Sequence, residues 1–178
     1  MNNCGVGKAD GLYKTEFIKL KDDNTDIERM SRMATEILRD YYDPIIGKEQ
    51  NDYMLALFQS PEGIKDQLSH GYRYYFVTID DTPVGFTAFY PRTDGVMYLS
   101  KIYLRKEHRG KGYARGIIDF IAAEAKKENL SAIELNVNKH NPSTGPYESL
   151  GFKRIRSEKN DIGGGFYMDD YVYRLEIP

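Results

Sequence analysis

The residues best suited to chemistry lie in "RKEHRGKGYARG", residues 105–116, where basic side chains and three glycines separate an apolar run from a helical pattern. Such a stretch can be a phosphate cradle, a basic patch for nucleic acid, or a charged turn into a helix. The turn's N–H groups, the unbonded N–H groups of a helix's first turn and the helix dipole together favour an anion at one spot. Gly110 and Gly112 let the backbone approach that anion where a Cβ would intervene. Arg109 and Lys111 add charge at the mouth. A solvated surface turn is the plainer alternative. The glycine spacing also mimics a dinucleotide-binding fingerprint, with Glu134 on the next strand as the acidic partner. Such a unit opens a parallel sheet, however, whereas here helices and a hairpin meander come first. The N-terminal "GVGK" has neither the preceding strand nor the spacing of a P-loop.

Composition narrows the partners. The charges of the 178 residues nearly cancel, to −2, so no global basic field points to bulk nucleic acid. Residues 105–116 also lack the aromatic platforms of an RNA-binding module. Cys4 is the single cysteine, which excludes an internal disulfide and a cysteine-rich metal site. His108 and His140 read as exposed turn residues, and the three scattered histidines make no metal site. The N-terminus lacks the apolar stretch of a signal peptide, and no run approaches a membrane span. The expectation is a cytoplasmic protein without metal, nucleic-acid or membrane partners.

A mixed α/β fold must hold these residues. Residues 1–11 read as a flexible tail and 12–178 as one domain without repeats or linker. "LYKTEFIKL" alternates as a strand. "NTDIERMSRMATEILRDYY" gathers Ile27, Met30, Ala34, Ile37, Leu38 and Tyr41 on one helical face, and Thr25 and Glu28 have capping-box spacing. "GKEQNDYMLALFQ" is a weaker helix. In "SPEGIKDQLSHG", Ser60 can cap, Pro61 suits the first turn and Gly71 can end the helix. "YRYYFVTI", "VGFTAFY" and "VMYLSKIYL" read as a hairpin meander. "GYARGIIDFIAAEAKKENL" is an amphipathic helix with Ala114, Ile117, Ile118, Ile121, Ala122 and Ala125 inward. "SAIELNV" is a strand, "GPYESLGF" a short helix ending at Gly151, and "FKRIRSE" and "FYMDDYVYRLEI" are closing strands.

At this point "SKIYLRKEHRGKGYARGIIDFI" resembles the acetyl-coenzyme A signature of the GNAT N-acetyltransferase superfamily. Its core, R/Q-x-x-G-x-G/A, is met by Arg109, Gly110, Lys111, Gly112, Tyr113 and Ala114. Downstream, "NKHNPSTGPYESLGF" resembles a second family element, an Asn followed by Y-E-x-L-G-F. The resemblance implies the acyl-CoA N-acyltransferase fold, a mostly antiparallel central sheet flanked by helices, with acetyl-CoA as cosubstrate and no metal. It implies that backbone N–H groups from Arg109 to Ala114 hold the pyrophosphate. The backbone of Ile102 and Leu104, with Tyr103 between them, would receive the pantetheine arm as if it were an extra strand. Asn141 resembles the asparagine that contacts that arm, although Asn before Pro142 also reads as a turn. Tyr147 is the implied general acid. Its phenol, with a reference pKa of about 10, stays protonated at neutral pH and can serve a departing thiolate of about 8.5. The Asn141–Tyr147 interval is one residue shorter than the commonest spacing in the family, and Pro142, Gly145 and Pro146 replace helix-forming residues, so the helix is expected to start near Pro146.

The resemblance leaves the general base and the acceptor open. Relatives place a carboxylate where Asn136 stands. Glu134, two residues earlier, shares that strand face, yet a surface glutamate at a strand start is its plainer reading. Residues 41–70 fall where relatives build the acceptor wall. Tyr41, Tyr42, Asp43, Glu49, Asp52 and Tyr53 there suit a cationic amine. The layout is weakly similar to bacterial polyamine N-acetyltransferases. The implied reaction is direct transfer to a small-molecule or peptide amine in a ternary complex, by a monomer or a homodimer. The alternative is a non-catalytic acyl-CoA sensor or interaction domain of the same fold.

Overall fold

In the computed structural model, which describes residues 14–178, each strong periodicity of the sequence becomes an element. The expected tail over 1–11 lies outside the described residues. The order is β1 (Thr15–Lys19), α1 (Asn24–Ile46), α2 (Lys48–Phe58), α3 (Pro61–Ser69), β2 (Arg73–Ile79), β3 (Thr82–Pro91) and β4 (Val96–Leu104). A 3-10 turn (Lys106–His108) follows, then α4 (Tyr113–Lys127), β5 (Ala132–Asn138), α5 (Thr144–Ser149), β6 (Lys153–Gly163) and β7 (Phe166–Glu176). The seven strands run in the order β1-β2-β3-β4-β5-β7-β6. β1–β2, β2–β3, β5–β7 and β6–β7 are antiparallel, and β4–β5 is parallel. No helix among the described residues is long and apolar enough to cross a membrane.

Among the boundaries that differ from those read off the pattern, three at helix ends have a direct physical reason. The first helix is capped by Asp23, whose carboxylate accepts from Asp26 N at 2.9 Å, while Asp26 accepts from Lys21 N at 3.1 Å. The N-cap is therefore Asp23 rather than Thr25, with Asp26 bracing the chain just ahead of it, and a cap of this kind contributes about 1 kcal/mol. At its other end α1 continues past Tyr42, through Pro44, to Ile46. A proline so close to the end forfeits little beyond its own N–H bond, and Gly47 N closes the helix on Asp43 O at 3.1 Å. The short helix α5 starts at Thr144, ahead of Pro146, since a proline is well tolerated in a first turn. Ser60 does cap α3, accepting from Gly63 N at 3.1 Å.

Contacts divide the chain into two units, one extending to Phe89 and including Lys101–Phe120, the other comprising Tyr90–Ser100 and Ile121–Pro178. In the first, the strand alternation is used on both faces. Tyr74, Phe76, Phe86 and Ala88 join Ile27, Met30, Ile37, Leu38, Leu55 and Ile64 in one core with α1–α3. On the opposite face Phe120 of α4 stacks on Phe17 at 4.2 Å and meets Tyr75 edge-on. In the second unit Val96, Met97, Leu99, Ile133, Leu135, Val137, Phe152, Val172 and Tyr173 are buried.

Candidate active site

The glycine-rich turn lies in the first unit. Arg105 N donates to Val84 O at 2.8 Å and the 3-10 turn closes with Arg109 N on Lys106 O at 3.2 Å. The chain then enters α4 through two left-handed glycines, Gly110 at φ 71° and Gly112 at φ 84°. A Cβ at either glycine would meet nothing within 4 Å, so the space beside them is open. From Gly110 to Ala114 the backbone N–H groups have no hydrogen-bond acceptor among the described residues. That row of unmet donors at a helix start fits a phosphate group.

Arg109 points its charge elsewhere. Its Nε donates to Leu104 O at 2.9 Å, its guanidinium lies 3.3 Å from Asp40, and its Cζ sits 4.9 Å over the Tyr41 ring. Lys111 is exposed. The basic side chains thus frame the turn and the backbone offers the anion site. Tyr103 turns to α1, where its hydroxyl lies 2.9 Å from that of Tyr42 and its ring meets Tyr41 and Tyr42 edge-on. Ile102 and Leu104 are half-buried beside it. Gly85 on β3 permits this packing, because a Cβ there would stand 2.3 Å from Tyr103 O. Along the expected acceptor wall, Asp52 is held by Arg39 and Lys48, which keep its pKa low, and Asp43 accepts from Asn51 at 2.7 Å. Glu49 is exposed.

The remaining expected residues lie in the second unit. Asn141 is buried and holds its own turn: its N–H donates to Asn138 O at 2.9 Å and its Oδ1 accepts from Ser143 N at 2.8 Å. Tyr147 is half-buried on α5, with its ring edge-on to Phe152 at 5.9 Å. Phe152 N and Leu150 N, both donating to Tyr147 O, close the turn that fixes it. Glu134 is no surface residue: it is 3% exposed. Its carboxylate takes Arg92 at 2.9 Å, Arg174 at 3.0 Å and Arg156 at 3.5 Å. A carboxylate so bound is a structural hub and not a candidate base.

An acetyltransferase (GNAT) family model matches residues 32–152, which spans both the glycine turn and Tyr147. The chain belongs to the GNAT acetyltransferase family. Membership makes it an acetyl-CoA-dependent N-acetyltransferase. The fold is similar to that of the PaiA N-acetyltransferase of Thermoplasma acidophilum, solved in complex with coenzyme A, at TM-score 0.73 and 17% identity over 93% of this chain and 99% of that one. It is also similar to a probable acetyltransferase of Staphylococcus epidermidis, at TM-score 0.68 and 16% identity, covering 94% of this chain and 100% of that one. A chimera of the Vibrio cholerae spermidine N-acetyltransferase SpeG and hSSAT gives TM-score 0.64 and 18% identity, over 91% of this chain and 94% of that one. No curated protein matches the sequence.

Two ionisable groups of this GNAT chain escape a reading by motif. Lys101 on β4 donates to Gln67 Oε1 at 2.8 Å beneath the rings of Tyr72 and Tyr74, and burial pulls its pKa down to about 7. Asp170 on β7 is 2% exposed, and burial pushes its pKa up. Their signal was a charge at an inward position of an otherwise buried strand, Lys101 within "VMYLSKIYL" and Asp170 two residues before Val172.

Proposed function

We propose that this GNAT enzyme transfers the acetyl group of acetyl-CoA to a small primary amine by direct attack on the thioester. The observation that carries the reading is the row of unbonded N–H groups from Gly110 to Ala114 at the start of α4. Those donors receive the pyrophosphate, and their dipoles are fixed before it arrives. The backbone of Ile102 and Leu104 takes the pantetheine arm as an added strand, with Tyr103 between them. Asn141 organises the loop ahead of Tyr147. Tyr147 protonates the departing thiolate, since a phenol is the weaker acid of the two and keeps its proton at neutral pH.

A polyamine is the acceptor to test first. One fold neighbour is a spermidine N-acetyltransferase chimera by name, and the sequence of the expected acceptor wall carries Tyr42 and Tyr53, a residue type that suits a cationic chain. Asp52 contributes little to that attraction, being paired twice already. Thiol release from acetyl-CoA is to be measured with spermidine, lysine, glucosamine and a peptide N-terminus. Turnover with at least one is expected, and binding of acetyl-CoA without turnover on any would refute catalysis. Gly112→Asp tests the cradle by titration calorimetry. A side chain at φ 84° is strained and its carboxylate opposes the phosphates, so coenzyme A affinity should fall at least about tenfold. Unchanged affinity would sink the cradle.

A further inference from the structure

Asp170 is a buried carboxylate with almost nothing to hold its charge. It stands on β7 opposite Asn138, the last residue of β5, and opposite Glu158 on β6. Among the described residues its side chain receives one hydrogen bond, from Asn136 Nδ2 at 3.4 Å. That is at the long limit for such a bond. The same amide nitrogen lies 3.3 Å from Glu158 Oε2. A buried carboxylate ordinarily collects two or three good donors, because desolvating it otherwise costs several kcal/mol.

The neighbouring charges do not fill the gap. Glu158 is drawn off by Arg156, at 2.7 Å, and its pKa is lowered by that guanidinium. Lys139, which follows β5, is bound to Asp169 at 2.6 Å, and Asp169 and Glu158 both add negative charge near Asp170. Position is the second half of the case. Lys139 N donates to Asp169 O at 3.1 Å and Asn141 N to Asn138 O at 2.9 Å. The backbone beside Asp170 is therefore tied to the start of the loop that leads to Tyr147.

We propose that Asp170 is the base of the acetyl transfer, taking a proton from the acceptor nitrogen as that nitrogen bonds to the thioester carbon, with Asn136 orienting the carboxylate. This rests on the function proposed above. The nitrogen lone pair forms the new C–N bond while one N–H proton passes to an Asp170 oxygen. The C–S bond breaks, its electron pair goes to sulfur, and Tyr147 protonates the sulfur. Solvent returns the proton from Asp170 to Tyr147, so the cycle closes without an added reactant. A carboxylate poorly stabilised as an anion is the better proton acceptor, which is why few partners suit this task and many do not.

The test is steady-state thiol release by the full chain across acid to neutral pH, with the best amine of the four above, for wild type, Asp170→Asn and Asn136→Asp. Asp170→Asn should lower kcat about 10²-fold at neutral pH and abolish the acidic limb of kcat/KM. Its coenzyme A affinity by calorimetry should not change. Asn136→Asp sets a new negative charge beside Asp170 and removes its donor, so the acidic limb should move to higher pH. A merely structural Asp170 would shift melting temperature and coenzyme affinity and leave that limb in place. Wild-type turnover with an unaltered limb in both variants would overturn Asp170 as the base while leaving acetyl transfer standing. Absence of turnover by the wild type with all four amines would overturn both.

Discussion

Glu134 and Asp170 are buried to nearly the same degree, 3% and 2% exposed, and share one unit and one sheet face. The register places Glu134 opposite Arg174, which lies on the same strand face as Val172 and Asp170 along β7. Their surroundings are opposite. Glu134 faces three guanidiniums, whereas Asp170 has one long amide contact and two acidic neighbours. Burial by itself therefore does not assign a carboxylate to structure or to chemistry. What decides is how firmly the side chain is held, because a carboxylate with both oxygens engaged by fixed guanidiniums has none to turn toward a substrate, and one with a single long contact does.

The largest effect should come from breaking the held member of this pair. Glu134→Gln leaves Arg92, Arg156 and Arg174 facing a neutral amide. Removing one side of a buried ion pair costs about 3–5 kcal/mol, and the partial exposure of the arginines places this site near the lower figure. Urea unfolding reads that loss, and thiol release per folded molecule should be unaffected. Loss of turnover beyond the loss of folded protein would mean that Glu134 does more than brace the sheet.

Next in size is Tyr147→Phe, which keeps the ring against Phe152 and removes only the hydroxyl. Turnover should fall about 10²-fold, equivalent to about 2.7 kcal/mol of barrier, with the urea midpoint unmoved. Glu134→Gln and Tyr147→Phe should thus be mirror images, one altering stability alone and the other rate alone. Unchanged turnover in Tyr147→Phe would remove the acid from the scheme.

The smallest effect concerns the stability of Asp170→Asn. Because burial raises the pKa of Asp170 in the folded state, folding favours its protonated form. The associated stability is present in acid and is lost as pH rises from the unfolded carboxyl value through the raised folded one. Asparagine does not titrate, so the variant should gain on the wild type as pH increases across that window. Glu158, its pKa lowered by Arg156, has the reverse sign: its contribution is lost as pH falls. Parallel pH–stability curves for wild type and variant would erase the distinction between Asp170 and Glu134.

Much of the fold was legible because period and punctuation are local properties. The meander over 72–104, the apolar face of α4 and the Ser60 cap follow from alternation, helical spacing and a short polar side chain. The glycine turn was legible for a similar reason, since two glycines just ahead of a helical pattern leave the backbone free for a tight entry and open to close approach. Glu134 and Asp170 were not legible, because three arginines from three separate segments meet one of them and none meets the other. A strand-register partner such as Arg174 is set by how β7 lies against β5, which single-strand patterns do not encode. The end of β6 escaped for a different reason. "KNDIG" carries no alternating apolar face, yet it pairs with β7 as far as Gly163.

Asn136 gives this chemistry one further property. A single Nδ2 lies within hydrogen-bond range of both Glu158 and Asp170, so the two carboxylates share one amide group, with one N–H available to each, and feel each other's charge. A proton entering this trio belongs to the pair and not to either residue, and the observed constants are macroscopic. Wild-type rate will then rise out of acid along a limb broader than a single ionisation, and Glu158→Gln, which leaves Asp170 to titrate alone, will sharpen it. Curvature, more than midpoint, is the signature of an amide shared between two acids.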